Sequence, residues 1–125
     1  MIPRAELVPM IGACALLVAA ALAQEPEPRT IEVVARRFAF EPAQIDVMVN
    51  ERVRLLVRSA DGVHGIEIKK FKVNTEIPRG TAVTVDFTAT EAGRFPIVCS
   101  EYCGDDHEAM TGMLVVQAGQ ETGVR

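Results

Sequence analysis

From residue 30 onward the chain is a succession of short stretches in which apolar side chains recur at every second position, separated by turn residues. The clearest is residues 81–88, where Val83, Val85 and Phe87 fall on one face and Thr84, Asp86 and Thr88 on the other. Successive side chains of a strand point to opposite faces, so this pattern predicts a strand with one face buried. Residues 31–35 have the β-branched content of a strand. Phe38-Ala39-Phe40 sets two aromatics on one face, and Glu41-Pro42 ends that run. Residues 45–49 alternate and lead into Asn50-Glu51, a turn suited to Asn because it tolerates the left-handed conformation. Residues 53–57 follow and are expected to form a hairpin or a sandwich corner with their predecessor. Residues 66–68, 94–98 and 112–116 complete the set, with Phe71-Lys72-Val73 after the first of these and turns at Pro78-Arg79-Gly80 and Glu91-Ala92-Gly93. No helical period is sustained past the N-terminal segment. About seven or eight short strands with frequent turns predict an all-β fold, a Greek-key β-sandwich.

The N-terminus has a different character. Residues 7–23 carry no charge and are dominated by Ala, Leu and Val, with Arg4 as a short positive flank. Ala21-Leu22-Ala23 has the small-x-small pattern of a signal-peptidase site, and the polar Gln24-Glu25-Pro26-Glu27-Pro28 follows. The uncharged run falls a little short of the ~20 residues of a spanning helix. Residues 1–23 are therefore read as a secretory signal, with a retained membrane anchor as the other reading. Either way the body of the protein is exported, to a bacterial periplasm or the outer face of the cytoplasmic membrane. Ile11-Gly12-Ala13-Cys14 loosely resembles a lipoprotein attachment site, but the apolar run continues well past Cys14, so this cysteine is read as part of the signal core. Residues 24–30 read as an extended tether, residues 31–118 as the folded domain, and residues 119–125 as a loose tail.

At 125 residues the chain is long enough for one domain with a single core. Its net charge of −4 and the lack of any Lys/Arg run exclude nucleic acid as an expected partner. Neither a Ser/His/Asp set nor a carboxylate pair served by the two histidines is evident, so no independent catalysis is expected.

The chemistry is concentrated in residues 99–110. Cys99 and Cys103 lie four apart, His107 follows after four more residues, and Met110 after three. Thiolates, a thioether and an imidazole are soft or intermediate ligands that suit copper, whereas calcium and magnesium require hard oxygens. The chain has only one other histidine, His64, which sits in Asp61-Gly62-Val63-His64-Gly65, where the strand pattern breaks. His64 is therefore the natural candidate for a remaining ligand. In an oxidising compartment Cys99 and Cys103 have a simpler alternative, a disulfide, but that reading leaves His107 and Met110 unexplained.

These residues resemble a cupredoxin, and specifically the binuclear copper (CuA) domain of cytochrome c oxidase subunit II, a centre that also occurs in nitrous oxide reductase. The family pattern C-S-E-x-C-G-x-x-H-x-x-M is met from Cys99 to Met110, and its upstream D-x-x-H by Asp61 and His64. The likeness extends over roughly residues 31–117, with Phe-x-Phe-x-Pro at residues 38–42 fitting secreted members. The resemblance implies that Cys99 and Cys103 bridge two copper ions. His64 and Met110 would complete one ion, and His107 with the backbone carbonyl of Glu101 the other. It implies an electron relay with a c-type cytochrome or another redox protein as donor, and membrane oxidase subunits as further partners. Two departures are the absence of tryptophan and a single apolar N-terminal segment where the family has two spanning helices. Membrane association would run through residues 7–23. Two other readings stay open: a periplasmic copper carrier for oxidase assembly, and a mononuclear blue-copper protein built on His64, Cys103, His107 and Met110.

Overall fold

A computed structural model describes residues 3, 5 and 27–119. Nearly all of the expected signal or anchor, residues 24–26 of the expected tether and residues 120–125 of the expected tail lie outside the described residues. No helix among the described residues is long and apolar enough to cross a membrane.

Nine strands are present among the described residues: β1 (Arg29–Arg36), β2 (Ala39–Glu41), β3 (Gln44–Met48), β4 (Arg52–Ser59), β5 (His64–Ile68), β6 (Val73–Ile77), β7 (Val83–Thr88), β8 (Gly93–Val98) and β9 (Thr111–Gln117). They form two sheets, one ordered β2-β1-β4-β7 and the other β3-β9-β8-β5-β6. Pairings β1–β4 and β3–β9 are parallel and the rest antiparallel. The expected all-β sandwich is therefore observed. Residues 45–49 and 53–57 fall in different sheets, so of the two expected connections the chain makes the corner rather than the hairpin. Asn50 takes the left-handed backbone at that corner, with φ of 68°. Phe71 lies in a single 3-10 turn (Lys69–Phe71) ahead of β6, where its ring stacks on Phe87 and meets Phe95 edge-on.

The alternation seen in the sequence becomes the core. Val53, Leu55 and Val57 of β4 are fully buried and face Ile66, Ile68, Ile97 and Leu114 of the other sheet within one apolar cluster. Each such side chain contributes about 1.5–3 kcal/mol by leaving water. That core fixes the strand ends that matter for chemistry. β8 runs antiparallel to β5 with Val98 opposite Glu67, so continuing the register sets Ser100 opposite Gly65 and brings the β8–β9 loop beside His64. In the other sheet β1 runs parallel to β4 with Ala35 opposite Ser59, which places the β1–β2 turn beside Asp61. Three connections thus meet at one end of the sandwich.

Candidate metal centre

His64 is the first residue of β5 and is completely buried. A buried histidine needs partners for both ring nitrogens. Nε2 has one, Asp61 Oδ1 at 2.5 Å. Burial works to raise the Asp61 carboxyl, but the Arg37 backbone N–H, the His64 ring and the Gly62 N–H outweigh it and hold it down at about 2. Asp61 is therefore ionised and can only accept, so Nε2 carries the proton it donates. Nδ1 is left buried with no hydrogen-bond partner among the described residues. A lone pair left unpaired in an apolar core is costly, and a soft metal ion is a chemically apt acceptor for it.

The two cysteines lie beside it. Cys99 and Cys103 are buried and unpaired, with sulfurs 3.8 Å apart, far outside the ~2.05 Å of a disulfide. A ring nitrogen of His64 and both sulfurs lie within 4.8 Å of one another. Cys103 Sγ is also 3.7 Å from His107 Nδ1 and 3.8 Å from Met110 Sδ, and Cys99 Sγ is 3.1 Å from the Glu101 carbonyl oxygen. All six residues singled out from the sequence are thus gathered around one sulfur pair. Burial, and after it the Cys99 thiol alongside, pushes the Cys103 thiol up to about 11. Without a cation the Cys103 sulfur is protonated at neutral pH, and a metal ion binding there must displace that proton.

Local backbone geometry explains how the loop holds this shape. Cys99 N–H donates to the Met110 carbonyl and Met110 N–H to the His107 carbonyl, which closes the loop at its base. A 3-10 turn over His107–Ala109 turns the chain back toward β9. Gly65 lets the loop lie against β5, since a Cβ there would stand 2.2 Å from Ser100 Oγ and 3.0 Å from the Glu101 amide nitrogen. Around this buried donor set the loop surface is exposed and acidic, with Glu101, Asp105, Asp106 and Glu108 in solvent. Tyr102 is 75% exposed, its ring 5.8 Å from that of His107.

Sequence reasoning missed Arg37. Its backbone N–H donates to Asp61 Oδ2 at 2.8 Å and its Nε to the Cys103 carbonyl at 2.8 Å. The only local hint was its place before the Phe-x-Phe-x-Pro stretch.

Two parallel strand pairings in a β-sandwich, with a Cys/His/Met loop closing one end, define a copper-protein fold of the cupredoxin class. A family model described as a cupredoxin-like domain matches residues 8–116, and the chain belongs to that family. Within it the chain is a CuA-like member. It is 32% identical over 92 residues to cytochrome c oxidase subunit 2 of Thermus thermophilus, covering 74% of this chain and 68% of that one. Other subunit 2 relatives are longer, and the chain spans only 24% of that of Thermostichus vulcanus. The periplasmic domain of subunit II of cytochrome oxidase of Bradyrhizobium japonicum shares the fold with a TM-score of 0.68 at 23% identity, covering 77% of this chain and 89% of that one. A chain of a heme-copper terminal oxidase dimer matches with a TM-score of 0.66 at 26% identity, covering 82% and 88%.

Proposed function

We propose that this chain is an exported electron-relay domain whose resident group is a binuclear copper centre held by His64, Cys99, Glu101, Cys103, His107 and Met110. The observation that carries the reading is the pair of buried, free cysteine sulfurs within 4.8 Å of a ring nitrogen of His64, a buried residue whose Nδ1 has no hydrogen-bond partner among the described residues. A mononuclear site uses one thiolate and leaves Cys99 without a purpose, whereas two sulfurs 3.8 Å apart are spaced to share a pair of cations. Copper held there by Cys99, Cys103 and the four other donors would supply one-electron redox chemistry. The chain's own part is to hold six donors in one arrangement. Cys99, Cys103 and Met110 are anchored in the core and shielded from water, and Asp61 fixes the tautomer and orientation of His64. His64 and Met110 would hold one ion, and His107 with the Glu101 carbonyl the other.

The site faces outward through Tyr102 and the half-buried His107, within a rim of four carboxylates. Such a rim favours a positively charged donor such as a c-type cytochrome and makes docking rates fall with salt. Oxidase subunits of the kind named for the relatives are the corresponding acceptors, and export places the domain on the outer side of the cytoplasmic membrane.

Cys99→Ser separates this reading from a mononuclear one. The binuclear reading predicts that the variant loses the colour of the loaded wild-type and binds at most one copper ion. A variant with an unchanged visible spectrum would leave Cys99 outside the centre and overturn the reading.

A further inference from the structure

The turn between β1 and β2 belongs to the four-stranded sheet, yet it reaches both loops of the site, the β4–β5 connection that crosses between the sheets and the β8–β9 loop of the five-stranded sheet. Arg37 N–H holds Asp61, which in turn holds His64, while Arg37 Nε holds the Cys103 carbonyl 66 residues away in sequence. Each loop has a glycine where the turn packs. A Cβ at Gly62 would stand 2.9 Å from Arg37 Nη2, and one at Gly104 would stand 2.9 Å from two carbons of the Phe38 ring. Gly104 also has φ of 143°, a conformation that other residues rarely adopt. The turn is therefore fitted between the His64 loop and the Cys103 loop, joined to each by a hydrogen bond.

We infer that Arg37 is a positioning and charge-tuning residue for the copper centre, an assignment that rests on the reading of the site given above. Its guanidinium keeps its positive charge at all relevant pH values. It lies against the carbonyl of a bridging cysteine in a loop whose exposed charges are otherwise Glu101, Asp105, Asp106 and Glu108. A reduced centre carries one positive charge fewer than an oxidised one, so a fixed cation nearby favours reduction and offsets the acidic rim. The rim can then recruit a cationic partner without driving the site toward permanent oxidation. The side-chain bond to the Cys103 carbonyl and the main-chain bond to Asp61 tie the two loops together through one residue, so the side chain that brings the charge also holds the Cys103 loop.

The test compares copper-loaded full-length wild-type, R37Q and R37K by copper content, redox titration and EPR. R37Q is expected to load as the wild-type does, with its midpoint lowered. Its reduced-to-oxidised ratio at a fixed applied potential should fall by about two- to fivefold, a solvent-screened value for one exposed charge. R37K restores the charge without the planar fork, so it should recover most of the midpoint while keeping an altered hyperfine pattern. Midpoint and spectrum both unchanged in R37Q would overturn the assignment, as would unfolding of the copper-free R37Q domain, which would make Arg37 a structural tie only. A wild-type protein that holds one copper ion overturns the binuclear reading instead. The Arg37 comparison survives that outcome, because each midpoint is read against its own wild-type.

Discussion

Cys103→Ser is expected to abolish tight copper binding, with a loss of affinity of at least about a hundredfold, beyond what removal of outer partners costs. Cys103 Sγ is the hub of the site, within 3.8 Å of Cys99 Sγ, His107 Nδ1 and Met110 Sδ. A serine oxygen is harder, is not ionised at neutral pH and has a shorter reach, so it bridges copper poorly. The fold should tolerate the change, because serine is close to cysteine in size and the loop is closed by backbone bonds that do not involve the Cys103 side chain. Titration with Cu(I) against a competing chelator, alongside far-UV circular dichroism, checks both halves. Retained affinity would show that Cys103 is not a ligand.

Gly65→Val should have the second-largest effect, this time on folding as well as on metal. A side chain there meets Ser100 Oγ, which can rotate away, and the Glu101 amide nitrogen, which cannot move without the backbone. The loop must then lift off β5, separating His64 from the two sulfurs and moving the Glu101 carbonyl from Cys99. Forced rearrangements of this kind cost about 1–3 kcal/mol, which a denaturant midpoint measured at unchanged slope would show. Copper content should fall in parallel. Full stability and full loading would mean that the loop does not rest on β5.

Much of the fold could be read from the sequence because burial in a half-exposed strand repeats every two residues. Val53, Leu55 and Val57 announce their face without any partner being known, and so do Val83, Val85 and Phe87. Which strands pair is a different matter. Alternation assigns faces but not neighbours, so the parallel β1–β4 and β3–β9 pairings had no local signal. The β3–β4 connection was ambiguous for a related reason, since Asn50 suits a hairpin and a corner equally well. The donor set was legible because soft ligands are scarce in this chain. With two histidines and a cluster of Cys, His and Met, little choice was left. Arg37 was hidden because its role depends on contacts with Asp61 and Cys103 that only the folded sandwich creates. Asp61 stood between these cases: its spacing from His64 was visible, but its work of freeing Nδ1 was not.

The central claim is that two sulfurs hold two copper ions in one chain. Copper content per chain, measured with EPR on the full-length protein after mild oxidation, tests it most directly. The expected result is two copper ions sharing one unpaired electron, seen as a seven-line hyperfine pattern. One copper ion with a four-line pattern would contradict it, and so would a protein that binds Cu(I) alone and has no stable oxidised form.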